Sequence, residues 1–324
     1  MTSIAENSHI KKEFRYNEAF KDIKEEINRV LCTSPTIIRE YTKHLGKTTG
    51  KFMRASSLLI CAQDNRGFIP QNAITLASAI EILHLATLVH DDVIDNADIR
   101  RGAVTLQKKY GNRTAVICGD YLLSVALKLV ASVSEKEEYL DRKIPDFVGR
   151  VCLGELHQHI NNGNYDLSVF QYLKIIAGKT AGMFEAAFYA GASLVEEEEV
   201  IKKYGRIGRY IGMIFQLTDD CMDFETTESV ARKPVQSDYE KNVITLPLIH
   251  TFKVLENFKT RAQKQRLSRT EINVMVKKAG GLLYTRNLAK KYYKKALDLL
   301  QKVETSVEKK EKIKSIIDKA YRVF

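Results

Sequence analysis

Apolar residues recur along most of the 324-residue chain at three- and four-residue spacing, the period of one face of an α-helix. Phe20, Ile23, Ile27, Val30 and Leu31 form such a stripe between about Asn17 and Leu31. Ser34-Pro35 follows it with an N-cap residue and a first-turn proline, the start of a second helix. Apolar helices are predicted again over Ala55–Cys61, from Gln71 to about Ile99, over Thr114–Val133 and over Tyr172–Phe184. The Thr114–Val133 run suits a buried helix or a face shared by two copies of the chain. Prolines occur only at 35, 70, 145, 234 and 247, so the long runs are unbroken. The alternation that marks strands is nearly absent, and no repeat or low-complexity tract interrupts the pattern. The expectation is an all-α fold, one domain over residues 1–324.

Two polar insertions break the apolar pattern at helical spacing. Asp91-Asp92-Val93-Ile94-Asp95 and Asp219-Asp220-Cys221-Met222-Asp223 both read Asp-Asp-x-x-Asp. On a helix, residues three and four apart are neighbours, which predicts three carboxylates on one face in each case, with Asp98 near the first set. Two such charges roughly 6 Å apart repel by about 3 kcal/mol at an effective dielectric near 20. No Lys or Arg is interleaved, so an acidic solvated face or a bound cation remains. Two copies embedded in apolar residues favour the cation. Carboxylate oxygens alone suit a hard ion, magnesium above all, which also takes water and substrate phosphate oxygens.

Composition changes this picture little. Hydrophobic residues make up 44% and charged residues 28% of the chain, an ordinary globular balance. There is no unbroken run of eighteen apolar residues, and the opening Met1–Asn7 has no signal-peptide pattern, so a cytoplasmic protein is expected. The five cysteines, at 32, 61, 118, 152 and 221, lack C-x-x-C spacing and read as reduced thiols. His157 and His159 lie two apart, on different helix faces, and do not form a metal pair. The net charge of +11 is concentrated in the tail, where residues 259–324 hold 19 Lys and Arg against 6 Asp and Glu. A solvated basic face is the simplest account; such a face also suits an anionic membrane surface or an acidic partner. No nucleic-acid motif accompanies it.

The remaining basic residues fall at informative places. Gly46-Lys47-Thr48-Thr49-Gly50-Lys51-Phe52-Met53-Arg54 leads into a helix, where free N–H groups and the dipole favour an anion. Arg100 and Arg101 follow the first acidic set and suit forked contacts to phosphate, or else a helix C-cap. Lys179, in Gly178-Lys179-Thr180-Ala181, is out of place on an apolar helix unless an anion faces it.

In this order the motifs resemble the trans-prenyltransferases, the all-trans polyprenyl diphosphate synthases, from about Gly46 to the tail. The resemblance implies an isoprenoid-synthase helical bundle around a deep central cavity, condensing isopentenyl diphosphate with an allylic diphosphate. It implies that Lys51, Arg54, His84 and Arg101 hold isopentenyl diphosphate. Asp91, Asp92, Asp95, Asp219, Asp220 and Asp223 match the ligands of two or three Mg2+ ions, and Arg100, Lys179 and Lys233 the clamp on the allylic diphosphate. Thr180 and Gln216 line the same site. A homodimer is implied, or else a pairing with a small unlike partner chain, with membrane contact conceivable for product release.

Product length is expected to be set on the helix preceding Asp91. At four, five and eight residues before it stand Thr87, Ala86 and Leu83. Bulky aromatic residues at the first two places close the pocket in short-chain members of the resembling family, so Ala86 and Thr87 predict a product above twenty carbons. Departures from the family pattern are Thr49 for Gly, Ala55 for Pro, Arg232 for Gly and Val243 for a polar residue, with Asn242 or Lys241 available to supply a phosphate contact near Val243. A non-catalytic subunit that kept the fold and a class I terpene cyclase are the competing readings.

Overall fold

Helical spacing is realised almost throughout the chain. The computed structural model describes residues 13–46, 50–133, 144–225 and 237–322. Its first half holds α1 (Tyr16–Cys32), α2 (Thr36–Gly46), α3 (Met53–Cys61), α4 (Gln71–Ile94), α5 (Leu106–Tyr110) and α6 (Asn112–Val133). Then come α7 (Ile144–Ile160), α8 (Val169–Ile176), a π turn over Ala177–Ala181, α9 (Gly182–Ala192) and α10 (Glu198–Glu225). The chain closes with α11 (Ser237–Glu240), α12 (Leu246–Val254), α13 (Glu256–Lys264), α14 (Arg269–Lys278), α15 (Gly281–Gln301) and α16 (Val307–Tyr321). Strand pairing among the described residues is confined to β1 (Glu13–Phe14) with β2 (Ile69–Pro70) and β3 (Ile99–Arg100) with β4 (Ala103–Val104), both antiparallel. The all-α expectation holds.

The central helix is α4. Ala73, Ile74, Leu76, Ala77, Ser78, Ala79 and Ile80 are all buried, so after its exposed first two residues the first half of the helix is largely enclosed, as an apolar helix in a protein core must be. Ile74 and Leu76 pack with Ile23 of α1 and Leu58 and Leu59 of α3. Farther along, Ile82, Ala86 and Val89 pack with Cys118 and Leu122 of α6. On the other side of the molecule Phe184, Phe188, Tyr204, Ile207 and Ile313 join α9, α10 and α16. Each such side chain, fully buried, contributes roughly 1.5–3 kcal/mol of transfer free energy.

Helix α4 ends at Ile94, five residues before the expected limit. Asn96 takes a left-handed conformation with φ of 49°, which breaks the helix and which Asn tolerates better than most residues. The chain then turns back through a two-residue hairpin loop in which Arg101 and Gly102 both have positive φ, 51° and 78°. That loop matches the twist of the paired strands. Asp98 therefore leaves the acidic helix face and pairs with Lys108 at 3.0 Å.

Two helices, α4 and α6, are long and apolar enough to cross a membrane by length and composition. Over its most apolar stretch α4 is 56% buried inside the protein, α6 only 28%. The difference lies in the outward residues Val116, Ile117 and Leu127 of α6. Helix α7 likewise exposes Leu153, Leu156 and Ile160.

Candidate active site

The first acidic motif occupies the last turn of α4. Asp91 and Asp95, four residues apart, share one face. Asp92 does not; it is 6% exposed and accepts a 2.6 Å hydrogen bond from Arg100 Nε. One residue is a 100° step around a helix, and the β3–β4 hairpin brings Arg100 back to that side. Burial raises the Asp91 and Asp92 carboxyls above their usual range, and the neighbouring cations only partly offset it.

The second motif lies near the end of α10 and divides the same way. Asp220 is 1% exposed and sits in a hydrogen-bonded chain: Thr180 Oγ1 donates to Gln216 Oε1 at 2.7 Å, Gln216 Nε2 donates to Asp220 Oδ1 at 2.8 Å, and the Tyr172 hydroxyl donates to Asp220 Oδ2. Burial pushes the Asp220 carboxyl up to about 7. Asp219 is half-exposed and receives Arg322 Nη2 at 3.0 Å. The expectation of three carboxylates on one face is thus corrected in both motifs: the first and last share a face, and the middle one points inward as a structural acceptor.

Cations line the space beside these motifs. Lys179, in the π turn, donates to Glu155 of α7 at 2.7 Å; burial opposes its charge, while Glu155, Asp91 and Asp95 stabilise it. A π turn often marks a functional position in a helix. Here it coincides with a tight crossing, because a Cβ on Gly154 of α7 would fall 2.3 Å from the Lys179 backbone nitrogen. Glycine is what lets Glu155 and Lys179 meet. From the loop after α11, Lys241 Nζ donates to Asp95 Oδ2 at 3.0 Å. In α11 itself, burial and then Asp223, Asp220 and Asp219 hold the Asp238 carboxyl well above its usual range, with Lys241 opposing. This short loop therefore joins the two acidic motifs.

A second, basic cluster lies lower on α4. Arg54 is half-buried at the start of α3, with its guanidinium 4.8 Å from the centre of the Phe184 ring and Glu81 as its chief opposing charge. Glu81 also accepts the Ala55 backbone N–H at 3.0 Å. Arg101 packs against Gly50. The His84 ring is held far below its usual pKa by burial and then by Arg54, Arg101 and Arg100. Arg54 Nε and His84 Nδ1 are buried with no hydrogen-bond partner. Unpaired buried polar atoms are costly, so a cluster of this sign is complete only with an anion. Lys51, three residues before Arg54 in the chain, is exposed.

Of the residues expected to set product length, Ala86 is 2% exposed in the seam between α4 and α6, while Leu83 and Thr87 are only half-buried. Lys233, Thr49 and Arg232 lie outside the described residues. The sequence reading missed Glu81, Tyr172 and Arg322. Tyr172 carried no signal, since a tyrosine on an apolar helix reads as core; Arg322 was absorbed into the general basicity of the tail.

No three His, Cys, Asp or Glu side chains among the described residues close around a single point. What is present is two carboxylate pairs, Asp91/Asp95 and Asp219/Asp223, with Lys241 on Asp95 and Arg322 on Asp219. Oxygen donors of that kind, few to each site, fit an ion that keeps waters and binds substrate phosphates, as Mg2+ does.

A model of the family described as polyprenyl synthetase matches residues 35–279. The heptaprenyl diphosphate synthase component 2 of Geobacillus stearothermophilus is 34% identical over 229 residues, 70% of this chain and 71% of that one. The crystal structure of heptaprenyl diphosphate synthase from Staphylococcus aureus superposes with a TM-score of 0.86 at 29% identity, covering 95% of this chain and 98% of that one. The polyprenyl synthase of Caulobacter crescentus CB15, solved with calcium and isoprenyl diphosphate, gives 0.84 at 26% identity over 94% of each chain.

Proposed function

The chain belongs to the polyprenyl synthetase family, and from that premise we propose how its two sites divide the work of prenyl chain elongation. The enzyme is a prenyltransferase. The observation that carries the division is electrostatic: an acidic cleft at the end of α4 and a basic cluster lower on the same helix, each incomplete without a ligand of opposite sign. Arg54, His84, Arg101 and Lys51 are the seat of isopentenyl diphosphate. The allylic diphosphate lies above them, between Asp91/Asp95 and Asp219/Asp223, with Lys179 and Arg100 as its protein cations.

When bound at those carboxylates, Mg2+ supplies charge that stabilises the departing diphosphate; the Caulobacter relative's calcium supports a divalent ion there, and two or three ions is the expected number. The residues of the chain do the rest. Lys179 and Arg100 are already oriented by Glu155 and Asp92, so they stabilise the growing negative charge with little reorganisation. Asp220, held by Tyr172 and Gln216, fixes the last turns of α10. The basic cluster fixes the second substrate so that its double bond lies next to the allylic carbon as that carbon's bond to oxygen breaks. The small side chains of Ala86 and Thr87 support a product above twenty carbons.

The test is direct. The purified chain with Mg2+, isopentenyl diphosphate and allylic primers of several lengths is expected to give all-trans diphosphates longer than twenty carbons. Asp91→Asn is expected to lower kcat by about a hundredfold or more, as loss of a main electrostatic contact does. Failure with every primer would favour a partner-dependent subunit, a reading that the component 2 relative keeps in view. A cyclic hydrocarbon formed without isopentenyl diphosphate would favour a cyclase.

A further inference from the structure

The end of α16 reaches the acidic cleft from a fixed base. At the start of that helix Lys309, 3% exposed, donates to Gln63 O at 2.8 Å and Glu196 Oε1 at 2.9 Å. At its far end Arg322 adopts φ of 48° and turns its side chain onto α10. There Nη2 meets Asp219 Oδ1 at 3.0 Å, Nη1 meets the Met222 sulfur, and the guanidinium lies 5.3 Å from the centre of the Phe215 ring. Residues 215, 219 and 222 are spaced four and three apart, one stripe along α10. A planar cation with several donors is suited to lie along such a stripe, stacking on the ring while it binds the carboxylate.

We infer that Arg322 is the resident counter-cation of Asp219 and competes there with the divalent ion. The inference rests on the metal-dependent reading of the cleft. An Asp219 oxygen engaged by a guanidinium is not free to face a metal, and two cations at one carboxylate repel. Binding of the ion therefore displaces Arg322 and loosens the last turn of α16, whereas the Lys309 end stays anchored. Metal affinity at this side of the cleft is set below that of the bare carboxylates, and loading of the cleft is felt at the end of the chain's last helix.

Two measurements on the full chain test this. In the first, Mg2+ is titrated calorimetrically in the presence of saturating inorganic diphosphate. Arg322→Gln is expected to bind Mg2+ roughly three- to fivefold more tightly than the parent, the scale of a partly exposed ion pair. Arg286→Gln, which removes a comparable pair with Glu225 at the end of α10, is expected to leave the affinity unchanged. In the second, hydrogen exchange of the unaltered protein is expected to quicken at Lys319–Tyr321 when Mg2+ and diphosphate are added, with no change near Lys309. Equal or weaker Mg2+ binding by Arg322→Gln, an equal gain in Arg286→Gln, or unchanged exchange at the end of α16 would overturn the competition alone. No Mg2+ uptake by the unaltered protein would overturn the metal-dependent reading with it.

Discussion

The imidazole of His84 lies within the field of Arg54, Arg101 and Arg100, and its charged form is disfavoured by burial before any of them acts. Folded, the ring stays neutral at pH values where a free histidine, with its ordinary value of 6.5, takes up a proton. Below that pH the unfolded chain binds a proton that the native chain refuses, so stability falls as pH drops from about 6.5, by up to ~1.4 kcal/mol per pH unit for one such group. Above 6.5 the effect vanishes. Thermal melts between pH 8 and 5 are expected to show this decline in the parent and a shallower one in His84→Asn, and inorganic diphosphate, by lending the ring a negative neighbour, is expected to flatten the parent's slope. Identical slopes in parent and variant would remove His84 from the account. The same scale explains what the acidic motifs concealed. Sequence spacing places Asp91 with Asp95 and Asp219 with Asp223 correctly, but it cannot say that Arg100 folds back to take Asp92 or that Tyr172, 48 residues away, takes Asp220.

Helix α4 carries both sites and the expected ruler for the product. Its existence, apolar character and acidic end are all legible in residues 71–95, because a period of 3.6 survives over many turns. Its end is not, since Ile99 and Arg100 continue the apolar and basic pattern while Asn96 and the Arg101-Gly102 turn redirect the backbone. Along the helix the two small residues differ in setting. Ala86 fills the seam with Cys118 and Leu122 of α6, where a phenyl ring would overpack the core at a cost of about 1–3 kcal/mol. Thr87, half-buried and donating to the His84 carbonyl at 2.8 Å, has more room. Thr87→Phe is therefore expected to shorten the product with little loss of melting temperature, whereas Ala86→Phe is expected to lower the melting temperature whatever it does to the product. Sizing the products of Thr87→Phe by chromatography decides the matter: an unchanged distribution would place the floor of the pocket elsewhere.

On the scale of the whole molecule, the basic tail and the apolar faces of α6 and α7 invite different explanations. Lys290, Lys291, Lys294 and Lys295 of α15 are all exposed, which fits the solvated face that its sequence suggests. An apolar helix that buries only 28% of its most apolar stretch is not explained by solvation. Ile117 is 55%, Leu153 57%, Leu156 52% and Ile160 67% exposed, and covering what remains of each would contribute roughly 1–2 kcal/mol, so these helices gain substantially from a partner surface. A second copy of the chain would supply one without another component, presenting the same faces as a two-fold contact requires. Sedimentation of the purified chain is expected to show a dimer, and Ile117→Asp combined with Leu156→Asp is expected to give a folded monomer, because a carboxylate driven into an apolar contact must be desolvated without a partner. A parent chain that sediments as a monomer would leave these faces to an unlike subunit; a dimer that survives both substitutions would move the contact off α6 and α7.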